Sequence, residues 1–94
     1  MKVTKISQLK VGDRVRWKCE LNRYPFFSIG PGTGTVVADI SDAMNQCVMV
    51  RPDDEVQRAA IREGWGDEVS GKEPLASSVE FHEDYLESEE LEAE

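Results

Sequence analysis

Between Arg14 and Cys19 apolar and polar residues alternate strictly, with Val15, Trp17 and Cys19 on one side and Arg14, Arg16 and Lys18 on the other. A period of two, with Val and Trp among its apolar members, predicts a half-buried strand over 14–20. Upstream, Leu9 and Val11 can pack inward, and Gly12-Asp13 supplies a turn into that strand. The cluster Gly30-Pro31-Gly32-Thr33-Gly34 is read as a strand-connecting turn, after which Thr35-Val36-Val37-Ala38-Asp39-Ile40 predicts a second strand near 34–41. The turn-rich segment 41–45 and the run Gln46-Cys47-Val48-Met49-Val50-Arg51 complete a hairpin, with a third strand near 46–51.

Pro52-Asp53-Asp54 stops that strand and offers Asp as a helix N-cap, so one short helix is predicted near 54–63, ended by Gly64. Trp65 is expected to dock on the core, and 66–76, with two glycines and a proline, to form a loop. Val79 and Phe81 alternate inward in a last strand near 78–82. Val15, Trp17, Val36, Val48, Val50 and Phe81 are the expected core. Short strands joined by turns, with a long loop after the first, predict a mainly β fold: a small, strongly bent antiparallel sheet closing into a barrel.

The chain's 94 residues make one domain and exclude a two-domain enzyme with a cleft between its halves. The net charge of −8 argues against a protein that works only by covering phosphates. Its distribution is more informative. Residues 1–37 carry seven bases against two acids, whereas 38–94 carry four against seventeen, and the last fifteen residues hold eight carboxylates and no Lys or Arg. The expected division is therefore a barrel over 1–83 and an acidic, solvated tail over 84–94 that adds little to stability. No apolar run approaches the roughly 18 residues of a membrane span, and the first ten residues lack a signal-peptide core, so the expected location is cytoplasmic. Cys19 and Cys47 are too few for a disulfide scaffold and are expected to be reduced.

The segments Leu9-Lys10-Val11-Gly12-Asp13-Arg14-Val15-Arg16 and Gly32-Thr33-Gly34-Thr35-Val36-Val37, separated by a loop with Arg23-Tyr24-Pro25-Phe26-Phe27, resemble the opening of SH3-like barrels. The pattern is similar to KOW-type domains, to the small barrel of the nitrile hydratase beta chain and, over residues 6 to about 82, to short uncharacterised phage and prophage proteins. The last group shares a valine strand, an acidic helix-like insert, a segment like Trp65 to Val69 and a final strand with an aromatic. The resemblance implies an SH3-like barrel with one short helix insert, and a phage-encoded protein residing in the host cytoplasm. It specifies a fold much better than an activity.

Candidate chemistry is sparse. His82 is the single histidine, on a terminal strand beside Glu80 and Glu83, and reads as an exposed or packed residue rather than a general base. No calcium-loop spacing or phosphate-cradle lysine occurs, so no metal and no cofactor are expected. The loop after the first strand is richer, with Tyr24, Phe26, Phe27 and Ile29 within a few residues. Phe26, Phe27 and Ile29 can cap the open end of the barrel, or some of these side chains form an exposed anchor patch. Arg14, Arg16 and Lys18 on one strand face, near Arg23 and Tyr24, would suit phosphates and stacked bases, or form an outward face neutralised by the chain's own acids. An acidic surface of Asp53, Asp54, Glu55, Glu83, Asp84 and Glu87 could imitate the phosphates of DNA, or simply solubilise the chain.

The expected function is a non-enzymatic macromolecular interaction module, a phage accessory or anti-defence protein that binds a host protein and uses acidic DNA mimicry in its most specific form. The alternative is a KOW-type nucleic-acid or ribonucleoprotein binder using the Arg14 strand, which the net charge disfavours. Opposite charges on one small domain also allow self-association. An enzyme or small-ligand binder has no constellation behind it.

Overall fold

The alternation that opens the chain ends sooner than its pattern suggests. In the computed structural model, which describes residues 1–65 and 77–94, β1 spans Arg14–Trp17 and stops where its partner does, since Trp17 lies opposite Gly32, the first residue of β4. After the bend at Cys19 the chain leaves the sheet and forms a separate hairpin, β2 (Leu21–Arg23) with β3 (Phe27–Ile29), within the segment expected to be a long loop. The remaining elements are β4 (Gly32–Asp39), β5 (Cys47–Pro52), α1 (Glu55–Trp65), β6 (Val79–His82), a 3-10 turn (Glu83–Tyr85), α2 (Leu86–Glu89) and β7 (Leu91–Ala93), with an earlier 3-10 turn at Ile6–Gln8. The loop expected over 66–76 lies outside the described residues.

The antiparallel strands pair in the order β6-β5-β4-β1-β7 and curl into a half-barrel. The fold is mainly β, as the pattern predicts at that level, with two short helices where one was expected. Inside the curl lie Val15, Trp17, Val36, Val48, Val50, Val79, Phe81 and Leu91, joined by Ile6, Leu21, Ile29, Ile61 and Leu86 from the flanking elements. All six expected core residues are buried there. Trp17 and Phe81 meet with ring centroids 5.7 Å apart, and the Trp17 indole N–H donates to the Gly30 carbonyl at 2.9 Å, so the largest buried side chain leaves no polar atom unpaired. Among the described residues no helix is long and apolar enough to cross a membrane.

Two glycines act through close approach rather than as turn or stop signals. Gly34 sits within β4 instead of a connecting turn, because a Cβ there would lie 2.5 Å from the Arg51 carbonyl oxygen and 2.9 Å from Val50 Cγ1. Gly64 lies inside α1, which continues to Trp65, because a Cβ there would collide with the Phe26 carbonyl of the β2–β3 loop. At the other end of α1 the expected cap forms: Asp54 Oδ1 accepts from the backbone N–H groups of Val56 and Gln57 at 2.8 and 3.0 Å.

The largest difference from expectation is the C-terminus. Residues 84–94 are not a solvated tail. The chain crosses from β6, one edge of the sheet, to β7, which pairs with β1 in the register Val15↔Ala93, Arg16↔Glu92 and Trp17↔Leu91. Leu86 and Leu91 are buried in the core, and the chain's first residues flank β7, with Val3 N–H donating to Leu91 O and Ala93 N–H to Met1 O, both at 2.8 Å. Two leucines at the right spacing, backbone pairing on both sides of β7 and counterions for its carboxylates offset the conformational entropy that was expected to keep this stretch solvated.

Candidate functional site

The basic stripe of β1 finds its counterions within the chain. Arg14 places both terminal guanidinium nitrogens on Asp53, with Nη1 at 2.8 Å from Oδ1, and Nη1 also donates to Thr35 Oγ1 at 2.8 Å. Asp53 further accepts from Thr33 Oγ1 at 2.7 Å, and the hydrogen bonds from Arg14 and then Thr33 hold its carboxyl at about 2, well below the usual range. Arg16 and Lys18 share Glu92, directly across from Arg16 in the β1–β7 register, at 3.0 and 2.8 Å. Hydrogen bonds from Lys18 and then Arg16 lower that carboxyl to about 2 as well. The stripe that would meet phosphates is thus an outward face already paired with carboxylates.

Arg23 is engaged more deeply. Its Nη1 donates to Glu89 Oε2 at 2.7 Å, and its Nη2 to Glu89 Oε1 at 3.3 Å and to the Glu80 carbonyl at 2.6 Å. The guanidinium carbon lies 6.0 Å from the centroid of the Phe81 ring. With side-chain exposures of 19% for Arg23 and 8% for Glu89, the pair fastens β2 to β6 and α2.

The aromatic loop divides between its two readings. Phe27 is half-buried against the core and meets Trp65 edge-on at 5.8 Å, while Phe26 stacks on Trp65 at 4.6 Å. Tyr24, by contrast, is 88% exposed. Tyr24 forms one wall of a groove of about 520 Å³ whose other residues include Asn22, Arg23, Trp65, His82 and Tyr85, together with Glu20, Glu80 and Glu89. Tyr85, on the 3-10 turn, is 59% exposed and packs its ring 5.7 Å from that of His82. Both His82 nitrogens are occupied: Nδ1 accepts the Asp84 backbone N–H at 3.1 Å, and Nε2 faces Asn45 Oδ1 at 3.3 Å.

The acidic candidates are spread over two places. Asp53, Asp54 and Glu55 lie at the β5–α1 junction, where the first is ion-paired and the second caps the helix. Glu83, Asp84 and Glu87 follow β6 beside Lys2, Val3 and Thr4, and Glu83 accepts the Ile6 N–H at 3.2 Å. Both cysteines are free thiols. Burial, assisted by Glu80, pushes Cys47 up to about 11, and burial likewise raises Cys19, so both stay protonated near neutrality. Among the described residues no group of three or more His, Cys, Asp or Glu side chains is arranged to hold a metal.

Sequence reasoning singled out Tyr24 and Arg23 but not Tyr85, Trp65, Glu20, Glu80 or Glu89 as their companions. Tyr85 and Glu89 join the groove only once the C-terminal stretch crosses from β6 to β7, whereas Glu20, Trp65 and Glu80 reach it from just before β2, the end of α1 and β6. No family model, curated protein or solved structure matches the chain.

Proposed function

We propose that this chain is an SH3-like small barrel serving as a non-enzymatic protein-interaction module, with its contact surface at the groove between the β2–β3 hairpin and the segment running from β6 through α2. An antiparallel β4-β5-β6 meander, with β4 beside β1 and the chain's last strand, β7, on β1's other side, supports the SH3-like reading. The observation that carries the functional reading is the pair of exposed tyrosines, Tyr24 and Tyr85, lining one groove on rigid backing. Large amphipathic rings held in place by packed neighbours are what interface centres favour. Trp65, Arg23 and Glu89 provide that backing without themselves being free.

The nucleic-acid alternative would require phosphates to displace Asp53 from Arg14 and Glu92 from both Arg16 and Lys18. Acidic mimicry loses Asp53, Asp54 and Glu83 to structural bonds. Mobility-shift assays at low salt test the choice, and neither single-stranded nor duplex nucleic acid should be retarded. Display of random peptides on the purified protein should select binders that Tyr24→Ala releases. Retardation of nucleic acid that Arg16→Ala and Lys18→Ala abolish would replace this reading with the nucleic-acid one.

A further inference from the structure

The groove has a charge and a shape that narrow its occupant, given the reading of it as the contact surface. Three carboxylates line it, from Glu20, Glu80 and Glu89, against one guanidinium, Arg23, which is already bound to Glu89. None of the ion pairs among the described residues uses Glu20 or Glu80. Beside these carboxylates stand the exposed rings of Tyr24 and Tyr85. Rings next to uncompensated carboxylates attract a flat cation, because the ring face and the acid oxygens both carry negative potential. Guanidinium suits such a site better than ammonium, since it stacks on a ring while its edge donates to a carboxylate.

The walls of the groove favour an extended chain over a compact ligand. One wall belongs to β2, which pairs with β3, and the other to β6, which ends the five-stranded sheet. Arg23 Nη2 reaches the Glu80 carbonyl, so the outer edge of β6 is turned toward β2. At about 520 Å³ the space is within the usual range for ligand clefts, about 300–1,000 Å³. A segment lying along it would run between two strands, its contacts there falling to side chains, since Arg23 already holds the Glu80 carbonyl of the β6 edge.

We infer that the groove takes an extended, arginine-bearing segment of a partner protein, with a guanidinium against Tyr24 or Tyr85 and the carboxylates of Glu20 and Glu80. Charge complementarity, the two exposed rings and the two strand walls converge on this one occupant.

Amide-resolved NMR titration with the peptide acetyl-(Arg-Ser)4-amide tests it, using the lysine, glutamine and glutamate versions as comparators. The arginine peptide should shift residues 20–24 and 80–89, more weakly at higher ionic strength. The lysine version should bind several-fold more weakly. Glu20→Gln and Glu80→Gln should each weaken binding about two- to fivefold, as for exposed charge pairs, and Tyr24→Ala about fivefold or more. If the glutamine or glutamate peptide shifts the same residues equally well, the arginine preference is wrong while the contact surface survives. If the arginine peptide shifts scattered acidic residues and ignores Tyr24→Ala, or no peptide moves the groove, the contact surface falls with it.

Discussion

Arg23 on β2 and Glu89 on α2 form a two-pronged ion pair at 2.7 and 3.3 Å that ties the hairpin to a segment 66 residues further along the chain. Both side chains are largely buried, and the guanidinium also satisfies the Glu80 carbonyl on the outer edge of β6. Arg23 was among the expected binding residues. Here it fixes one wall of the groove against the other, which makes it a scaffold for Tyr24 and not a free anchor.

Removing one member of this pair should cost more than removing both. Glu89→Ala strands a mostly buried guanidinium, a change that costs about 3–5 kcal/mol when burial is complete and less at the partial exposure of Arg23. Arg23→Met combined with Glu89→Leu replaces the pair with apolar volume and should recover much of the loss. A double-mutant cycle by urea denaturation measures the coupling, which should be at least about 1 kcal/mol. A coupling of zero would make the pair ornamental to stability.

Deleting residues 86–94 should unfold the protein or lower its melting temperature by more than about 10 °C. The deletion strips β7 from β1 and removes Leu86 and Leu91, both essentially inaccessible to solvent. A single Leu91→Ala should already cost about 2–5 kcal/mol. Thermal melts of the truncated chain decide between this outcome and the small shift expected of a solvated tail.

The central sheet was legible because its signal is local. Val15 and Trp17, and Val79 and Phe81, alternate along single strands with one face buried, while β5 is marked by an unbroken apolar run, Cys47 to Val50, buried on both faces. The register of β4 was less legible, since Gly32 and Gly34 look like turn residues and reveal their role only against Arg51 and Gln57 on other elements. The tail was misread because local composition outweighed pairing. Eight carboxylates suggest disorder until Glu92 is found opposite Arg16 and Lys18, and Glu89 opposite Arg23, which are long-range relationships no window of sequence contains. The charge imbalance between the two ends of the chain was the available signal, pointing to opposite charges that pair in the fold. Tyr24 was visible as a candidate, but the groove was not, because Tyr85, Ser88 and Glu89 line it from the misread segment and β6 meets β2 only in the fold.

Gly64→Ala should destabilise the protein although it raises intrinsic helix propensity. Alanine in a helix is worth up to about 1 kcal/mol over glycine, but the new methyl would overlap the Phe26 backbone, which cannot step aside as a flexible side chain would. Overpacking of this kind costs about 1–3 kcal/mol, so the net loss should reach about 2 kcal/mol. Displacing that loop should also disturb the Phe26–Trp65 stack, read as a change in near-ultraviolet circular dichroism. A more stable variant with an unchanged spectrum would place the helix farther from the loop than described.

Acid should loosen the seam between β1 and its neighbours. Glu92 and Asp53 are held at about 2 in the folded protein by Lys18 with Arg16, and by Arg14 with Thr33. Their unfolded values lie near 4. A carboxyl with a lower pKa when folded contributes fully above its unfolded pKa and loses that contribution as pH falls toward the folded value. The melting temperature should therefore decline between about pH 5 and pH 2. Glu92→Gln should lower it at pH 7 but much less at pH 2, where the wild-type carboxyl has begun to protonate. Each ion pair is solvent-exposed, so the decline should shrink in high salt. An acid limb unchanged by both Glu92→Gln and Asp53→Asn would mean that these pairs orient the strands without stabilising them.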